Sequence, residues 1–454
     1  MNTKSNHRAA QQLLPDYTPS LIFILAASAL FLLGAATARA FTSSYSDMIF
    51  NDYNNAFYVV SSGNGYYKAD TGGGRTDFWK QAEEIEMIID AYERTGNSVY
   101  KGMITETING FISQNGATWT GNSFNDDILW MCIAAERGYQ KTGNTYFRDR
   151  AKANFDAVYS RAYDSALGGG LWWTTGKTSK NACVNGPGAI AAYLLYQIYG
   201  DSSYLTKANN IYNWERGHLF NATTGAVYDH MNADGSLSTG TLSYNSGTFI
   251  GAANYLGLTA DAGLAADFMK NTMCSGGIFP QYGTGGDAGG FDGIGIRWVT
   301  RYMKDRGLQS TYLAWLQSNA NAAWDRRRND HLSWSRWKEQ TPAGTLTSFD
   351  CSSSVVALQV VPPDNTVSPG VTFYADVSYG GAASMSCVKG NYTLAQLQAK
   401  NVSNDWVSSL KIPSGWTVIM YQNDNFSGTS WTFTGDTGWV GAAANDQMSS
   451  CKIQ

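Results

Sequence analysis

One turn recurs along the first part of the chain and limits what the chain can fold into. Tyr92-Glu-Arg-Thr-Gly-Asn-Ser-Val-Tyr100 is echoed by Tyr139-Gln-Lys-Thr-Gly-Asn-Thr-Tyr-Phe147 and, more loosely, by Tyr196-Gln-Ile-Tyr-Gly-Asp-Ser-Ser-Tyr204. In each, the glycine can end one helix in a left-handed cap, and the Asn or Asp that follows can cap the start of the next. Gly96, Gly143 and Gly200 are spaced by about the length of a helical hairpin plus a return loop, and a turn near Gly307 keeps the pattern. From about Phe41 to Val361 the apolar spacing is helical between glycine-containing turns. Roughly six helical hairpins fit this stretch. A closed ring of inner and outer helices is the economical way to bury so many apolar faces, so the expected fold is an all-α (α/α)6 barrel over 41–361.

At Val360-Val-Pro-Pro-Asp-Asn-Thr-Val-Ser-Pro-Gly370 the helical pattern stops, and 362–370 reads as a linker. Beyond it, Val371-Thr-Phe-Tyr-Ala-Asp376 and Thr417-Val-Ile-Met-Tyr421 alternate as strands do, and 371–454 suits one small all-β domain. At the other end, residues 1–40 carry Lys4, His7 and Arg8, an apolar run from Leu21 to Gly34, and Ala38-Arg39-Ala40. This is the pattern of a signal peptide cleaved before Phe41, which predicts a secreted protein with no stable membrane anchor after cleavage. An uncleaved anchor is the alternative. Outside the cytoplasm Cys132, Cys183, Cys274, Cys351, Cys387 and Cys451 could pair, Cys387 with Cys451 among them, although Cys132 in its apolar helical run fits a buried thiol equally well. A net charge of −4 argues against nucleic acid as a partner. The 15 Trp and 27 Tyr suit either core packing or platforms that stack on sugar rings.

The candidate chemistry centres on Ser123-Phe-Asn-Asp-Asp-Ile-Leu-Trp130. Glycoside hydrolysis needs one carboxylate at the anomeric carbon and one to protonate the leaving oxygen. With Asn125 as cap, Asp126 and Asp127 would occupy a first helical turn and could converge on one pocket. An acidic helix start that merely suits the helix dipole explains the same residues. Trp130 could supply a platform. Gly168-Gly-Gly-Leu-Trp172-Trp173 with Lys180-Asn181 and Asn185, Tyr244-Asn245-Ser-Gly247, and Phe291-Asp292-Gly-Ile-Gly-Ile-Arg297 add aromatic, amide and charged groups.

These segments, together with Phe78-Trp-Lys-Gln-Ala-Glu83, resemble the signature segments of glycoside hydrolase family 76, in the same order, across essentially Phe41 to Val361. The resemblance implies an (α/α)6 barrel with endo-acting, retaining α-1,6-mannanase activity. By it Asp126 is the nucleophile and Asp127 the general acid/base, and no cofactor serves catalysis. It also implies that Asn125, Trp130, Trp172, Trp173, Asn185, Tyr244, Asn245, Asp292 and Arg297 bind α-1,6-mannan or manno-oligosaccharide. Asp292 stands where the family segment usually has Lys. A wall-remodelling transglycosylase of the same family, or a non-catalytic mannan- or wall-binding protein, are the alternative functions.

In the last domain, Asn404-Asp-Trp-Val-Ser-Ser409 and Asn445-Asp-Gln-Met-Ser-Ser450 repeat one hexapeptide. Hard cations such as calcium take the oxygens that such loops carry, and a pair of polar turns is the structural alternative. With Val371-Thr-Phe-Tyr374, Tyr379-Gly-Gly381, Val418-Ile-Met-Tyr421 and Asn425-Phe-Ser-Gly428, the domain resembles microbial βγ-crystallin Greek keys. That resemblance implies calcium at Asn404, Asp405, Ser408, Asn445, Asp446 and Ser449. Calcium-dependent stability, or wall targeting through Trp416, Trp431 and Trp439, would explain the module.

Overall fold

The structure, a computed structural model, describes residues 41–283, 286–363, 370–413 and 415–454. The expected signal peptide and linker positions 364–369 lie outside the described residues. Among the described residues before 364, twelve α-helices alternate between two layers: α1 (Ser43–Phe57), α2 (Phe78–Thr95), α3 (Ser98–Asn115), α4 (Asn125–Thr142), α5 (Thr145–Ala162), α6 (Ala182–Tyr199), α7 (Ser202–His218), α8 (Ser243–Tyr255), α9 (Thr259–Phe268), α10 (Phe291–Asp305), α11 (Gln309–Asp325) and α12 (Ser348–Val360). The even-numbered helices pack in succession, and α12 returns to α2, which closes an inner ring. Odd-numbered helices pack outside, and α1 covers α12, so the two ends of the helical region meet. There the Gln359 side chain donates to the Ser46 carbonyl at 2.7 Å. This is the (α/α)6 barrel.

The recurring turn does the work read from it. Gly96, Gly143 and Gly200 sit at φ of 65°, 77° and 69°, and their N–H groups bond Tyr92, Tyr139 and Tyr196 carbonyls at 2.8, 2.7 and 2.8 Å. The next residues then cap: Asn97, Asn144 and Asp201 accept from Val99, Tyr146 and Ser203 N–H at 2.9, 3.1 and 2.9 Å. Inner helices are buried nearly all round, as in the unbroken buried run Gln81 to Ala91 of α2. Close approach demands small residues. A Cβ on Gly247 of α8 would stand 2.8 Å from the Gly295 Cα of α10, which explains the glycine of Tyr244-Asn-Ser-Gly247.

A charged network ties the ring internally. Arg137 of α4 pairs with Glu86 and Asp90 at 2.5 and 2.8 Å, and Arg297 of α10 pairs with Glu83 and Asp90 at 2.5 and 2.6 Å. Burial raises Glu83 to about 8 despite Arg297.

The residues after 370 form a β-rich region with its own apolar core, including Val371, Phe373, Leu410, Val418, Met420 and Ile453. Strand Thr372–Tyr374 pairs with Ser409–Lys411, while Ser450–Ile453 lies between Val418–Asn423 and Gly390–Tyr392. The two halves repeat each other in detail. Ser409 Oγ accepts from Tyr379 N–H and donates to the Asp376 carbonyl; Ser450 Oγ accepts from Phe426 N–H and donates to the Asn423 carbonyl. All six cysteines are free thiols, Cys387 and Cys451 included. Trp439 is 56% exposed, whereas Trp416 and Trp431 pack against the β core. No helix among the described residues is long and apolar enough to cross a membrane.

Candidate active site

The N-terminal turns of the inner helices open onto a cleft of about 420 Å³. Asp126, Asp127 and Trp130 enter it from α4, Trp79 from α2, Cys183 from α6, Tyr244 from α8 and Phe291 from α10, with Asp77, Phe124, Trp173, Asn181, Asp229 and Asp287 from preceding loops. Aromatic rings make its walls. Tyr244 stacks on Phe291 at 4.2 Å between centroids, Trp79 meets Phe349 edge-on at 4.9 Å, and Phe124 meets Trp173 at 5.3 Å. Trp130 is only 2% exposed, wedged between Trp79 and Tyr244, so it forms floor rather than an open platform.

Both expected carboxylates stand here. Asp126 is buried and its Oδ1 has no hydrogen-bond partner. Burial and then the neighbouring Asp127 push its carboxyl to about 7, with the Trp173 indole and Cys183 thiol opposing from close by. Asp127 is lifted to about 6 by burial, opposed by Asn122 and reinforced by Asp287 and Asp77. The shifts share a cause, and two adjacent carboxyls in a poorly solvated cleft titrate as a pair that keeps one proton near neutrality.

The loop before α4 is locked from behind. Phe124, not Asn125, is the helix N-cap, because the Asn125 side chain is turned inward: it donates to the Trp172 carbonyl at 2.8 Å and accepts from Arg161 Nε at 2.6 Å. Arg161 also donates to the Thr120 and Asn122 carbonyls, each at 2.8 Å. Asn122 in turn donates to Asp127 Oδ2 at 2.8 Å. The glycine-rich loop is held by Lys180, fully buried, whose Nζ donates to the Ala166, Gly169 and Gly170 carbonyls at 2.7, 2.5 and 3.2 Å. That anchoring sets Trp173 against the cleft.

Of the residues expected to bind substrate, Trp130, Trp173 and Tyr244 line the cleft and the others do not. Trp172 is buried with its indole donating to Asp164. Asn185 bridges Leu171 and the Asn181 carbonyl. Asn245 donates to Asp229 at 3.1 Å, and Asp292 accepts from Ser243 Oγ at 2.6 Å, both fully enclosed. Arg297 belongs to the charged network. Asn125, Asn185, Asn245 and Asp292 stand in the first turns of inner helices with their side chains bonded inward, Trp172 lies in the loop before α6, and Arg297 alone lies deeper along its helix. Sequence reasoning misses Asp77, Asp229 and Asp287; Asp77 and Asp287 sit just before helical turns, a position that could have flagged them, whereas Asp229 precedes the short strand His230–Asn232.

In the β-rich region the two hexapeptides interlock. Asp405 N–H donates to the Met448 carbonyl and Asp446 N–H to the Val407 carbonyl, both at 3.2 Å, and both aspartates adopt left-handed backbone with φ of 50° and 53°. Asn404 and Asn445 each bond the following aspartate. Among the described residues no group of three or more His, Cys, Asp or Glu side chains could hold a metal. A cation here would rely on single carboxylates with hydroxyl and carbonyl oxygens, a donor set that suits calcium.

The sequence model of glycosyl hydrolase family 76 matches residues 37–362. The solved GH76A α-1,6-mannanase of Salegentibacter sp. HEL1_6 is 27% identical, covering 70% of this chain and 98% of its own, with a TM-score of 0.65. A variant of that protein inactivated by replacing two consecutive aspartates with asparagine is solved with α-1,6-mannotriose. Mannan endo-1,6-α-mannosidase DCW1 of Candida glabrata is 27% identical over 39% of this chain and 45% of its own length. A putative mannan endo-1,6-α-mannosidase of Schizosaccharomyces pombe is 24% identical over 45% of this chain and 50% of its own. The chain thus spans half or less of these curated relatives. Development-specific protein S of Myxococcus xanthus is 39% identical over 64 residues, 36% of that protein.

Proposed function

The chain belongs to glycosyl hydrolase family 76, and on that footing we propose that it is a secreted, endo-acting enzyme that hydrolyses α-1,6-mannosidic linkages with retention of configuration. One observation carries the reading. The sequence contains a single Asp-Asp dipeptide, and it stands in an aromatic-walled cleft at the start of an inner helix. The consecutive aspartates whose replacement inactivates the Salegentibacter enzyme support the same assignment.

In the first step an Asp126 oxygen attacks the anomeric carbon, the bond to the leaving sugar breaks, and Asp127 gives its proton to the departing oxygen. In the second, Asp127 takes a proton from water, whose oxygen displaces Asp126 from the anomeric carbon. Burial favours the pair's proton on the deeper Asp126 in the free enzyme. The division of labour therefore requires substrate to shift that proton to Asp127. Trp79, Trp173, Tyr244 and Phe291 offer ring faces to the sugars, and Asn181 and Asp229 offer hydrogen-bonding groups to their hydroxyls. Asn125, Asn185 and Asn245 act by holding that lining in place.

The β-rich module binds calcium, in this proposal, through Asn404, Asp405, Ser408, Asn445, Asp446 and Ser449, and stabilises the secreted protein by binding only its folded form. Product analysis tests the enzymatic reading. Linear α-1,6-mannan should yield short oligosaccharides with the native chain, and none with Asp126→Asn or Asp127→Asn, each folded as the parent. Near-normal turnover by either variant rules out the assignment.

A further inference from the structure

Two polar atoms of side chains that line the cleft are closed to solvent and unpaired, and their hydrogen-bonding senses are opposite. Trp173 Nε1 can only donate, and Asp126 Oδ1, once ionised, can only accept; among the described residues neither has a partner. Buried polar groups are nearly always paired, and an open donor beside an open acceptor in a cleft calls for a role.

The backbone sets the two against each other. Residues 173–175 run antiparallel to 123–125: Phe124 bridges Thr174, Asn125 N–H donates to the Trp173 carbonyl at 2.8 Å, and Thr175 N–H donates to the Ser123 carbonyl at 3.0 Å. Trp173 N–H is taken by the Ser179 carbonyl at 2.9 Å, and its ring meets Phe124 edge-on. The indole is thereby fixed beside the residue that precedes Asp126. Asp127 flanks Asp126 on α4, Cys183 approaches from α6 with Tyr244 of α8 behind its thiol, and Asp229 acts on both of those. Asp287, Asp77 and Lys80 act on Asp127 instead. Burial first, then Asp127, oppose charge on Asp126, and the Trp173 indole leads the groups that favour it, ahead of the Cys183 thiol.

We propose, resting on the assignment of Asp126 as nucleophile, that Trp173 is its positioning residue: the indole N–H donates to Asp126 Oδ1 and leaves Oδ2 as the oxygen that attacks the anomeric carbon. An oxygen closed to solvent has no path to the sugar, so the attacking atom is the other one. A donor aimed at Asp126 favours its charged form, and catalytic hydrogen bonds that are loose in the free protein tighten when substrate closes the site. That tightening gives the shared proton a reason to pass to Asp127. The ring face of Trp173 remains for the sugar.

The titration of Asp126 tests the bond without relying on turnover. In a full chain carrying Asp127→Asn and 13C-labelled aspartate, NMR follows the Asp126 carboxyl, identified by the signal lost when Asp126→Asn is added. Adding Trp173→Phe instead, which keeps a ring and removes the N–H, should raise the Asp126 pKa by about half a unit or more. Water entering the freed space would lower it, so an unchanged or lower value overturns the proposal. Turnover supplies the second arm. With both aspartates present, Trp173→Phe should lower kcat about tenfold or more on α-1,6-mannan, and equally on a 2,4-dinitrophenyl α-1,6-mannobioside, whose leaving group departs without a proton. A loss confined to mannan would place the effect of the indole on Asp127 and overturn the proposal. If the native chain hydrolyses neither substrate, the enzymatic reading falls, whereas the titration still decides the hydrogen bond.

Discussion

Asn122 Nδ2 lies 2.8 Å from Asp127 Oδ2, and the carbonyl of the same Asn122 is gripped by Arg161 at 2.8 Å. The donor thus stabilises the ionised form of Asp127 and works against the burial that raises it. Removing it by Asn122→Ala should lift the Asp127 pKa further. A hydrogen bond to a charged group is worth roughly 1.5–3 kcal/mol, so the alkaline limb of kcat/KM should move up by about one to two pH units, with a lower plateau from lost orientation. An unmoved limb would show that Asp127 does not govern it.

Asp126 makes stability depend on pH in a definite direction. Its folded pKa is raised from 3.8 to about 7, burial first and Asp127 second. A carboxyl raised in this way contributes stability that is full below the unfolded value and is lost as pH climbs through the folded one. Asp126→Asn lacks that dependence. Its melting temperature relative to the parent should rise by a few degrees between pH 4 and pH 8, a trend that scanning calorimetry across that window would reveal or refute.

Arg137 joins α4 to Glu86 and Asp90 of α2 inside the ring. Arg137→Leu leaves Glu86 and Asp90 only Arg297 to share between them, and breaking a buried ion pair in this way costs about 3–5 kcal/mol. Chemical denaturation should show a loss of that size. A variant as stable as the parent would mean that the network is neutralised by protonation instead.

Calcium added to the chelator-treated full chain should raise the melting temperature of the β-rich region, and Asp405→Ala with Asp446→Ala should abolish the rise. Because Asp405 N–H bonds the Met448 carbonyl and Asp446 N–H the Val407 carbonyl, the proposal expects the two loops to bind the ion together. A rise that persists in the double variant would place the ion elsewhere.

Much of the architecture was legible because local chemistry enforces it. Gly96 with Asn97, and Gly143 with Asn144, end one helix and start another whatever surrounds them. The acid pair was not legible in that way, since an acidic first turn suits any helix start, and it was the companion segments around Trp130, Trp173 and Tyr244 that singled it out. The rest of the site was not legible. Asn125, Asn185 and Asn245 look alike in sequence whether they touch a ligand or a backbone carbonyl, and only the three-dimensional packing turns them inward. Arg297 read as a substrate contact because it closes a signature segment, yet six residues along α10 carry it away from the cleft mouth into the charged network.

The most direct test of the central claim is proton NMR of the first products released from an α-1,6-manno-oligosaccharide by the native chain. Double displacement at Asp126 and Asp127 predicts that the newly formed reducing end appears first as the α anomer and only later mutarotates. Initial release of the β anomer would contradict it, and so would an absence of cleavage by the folded protein.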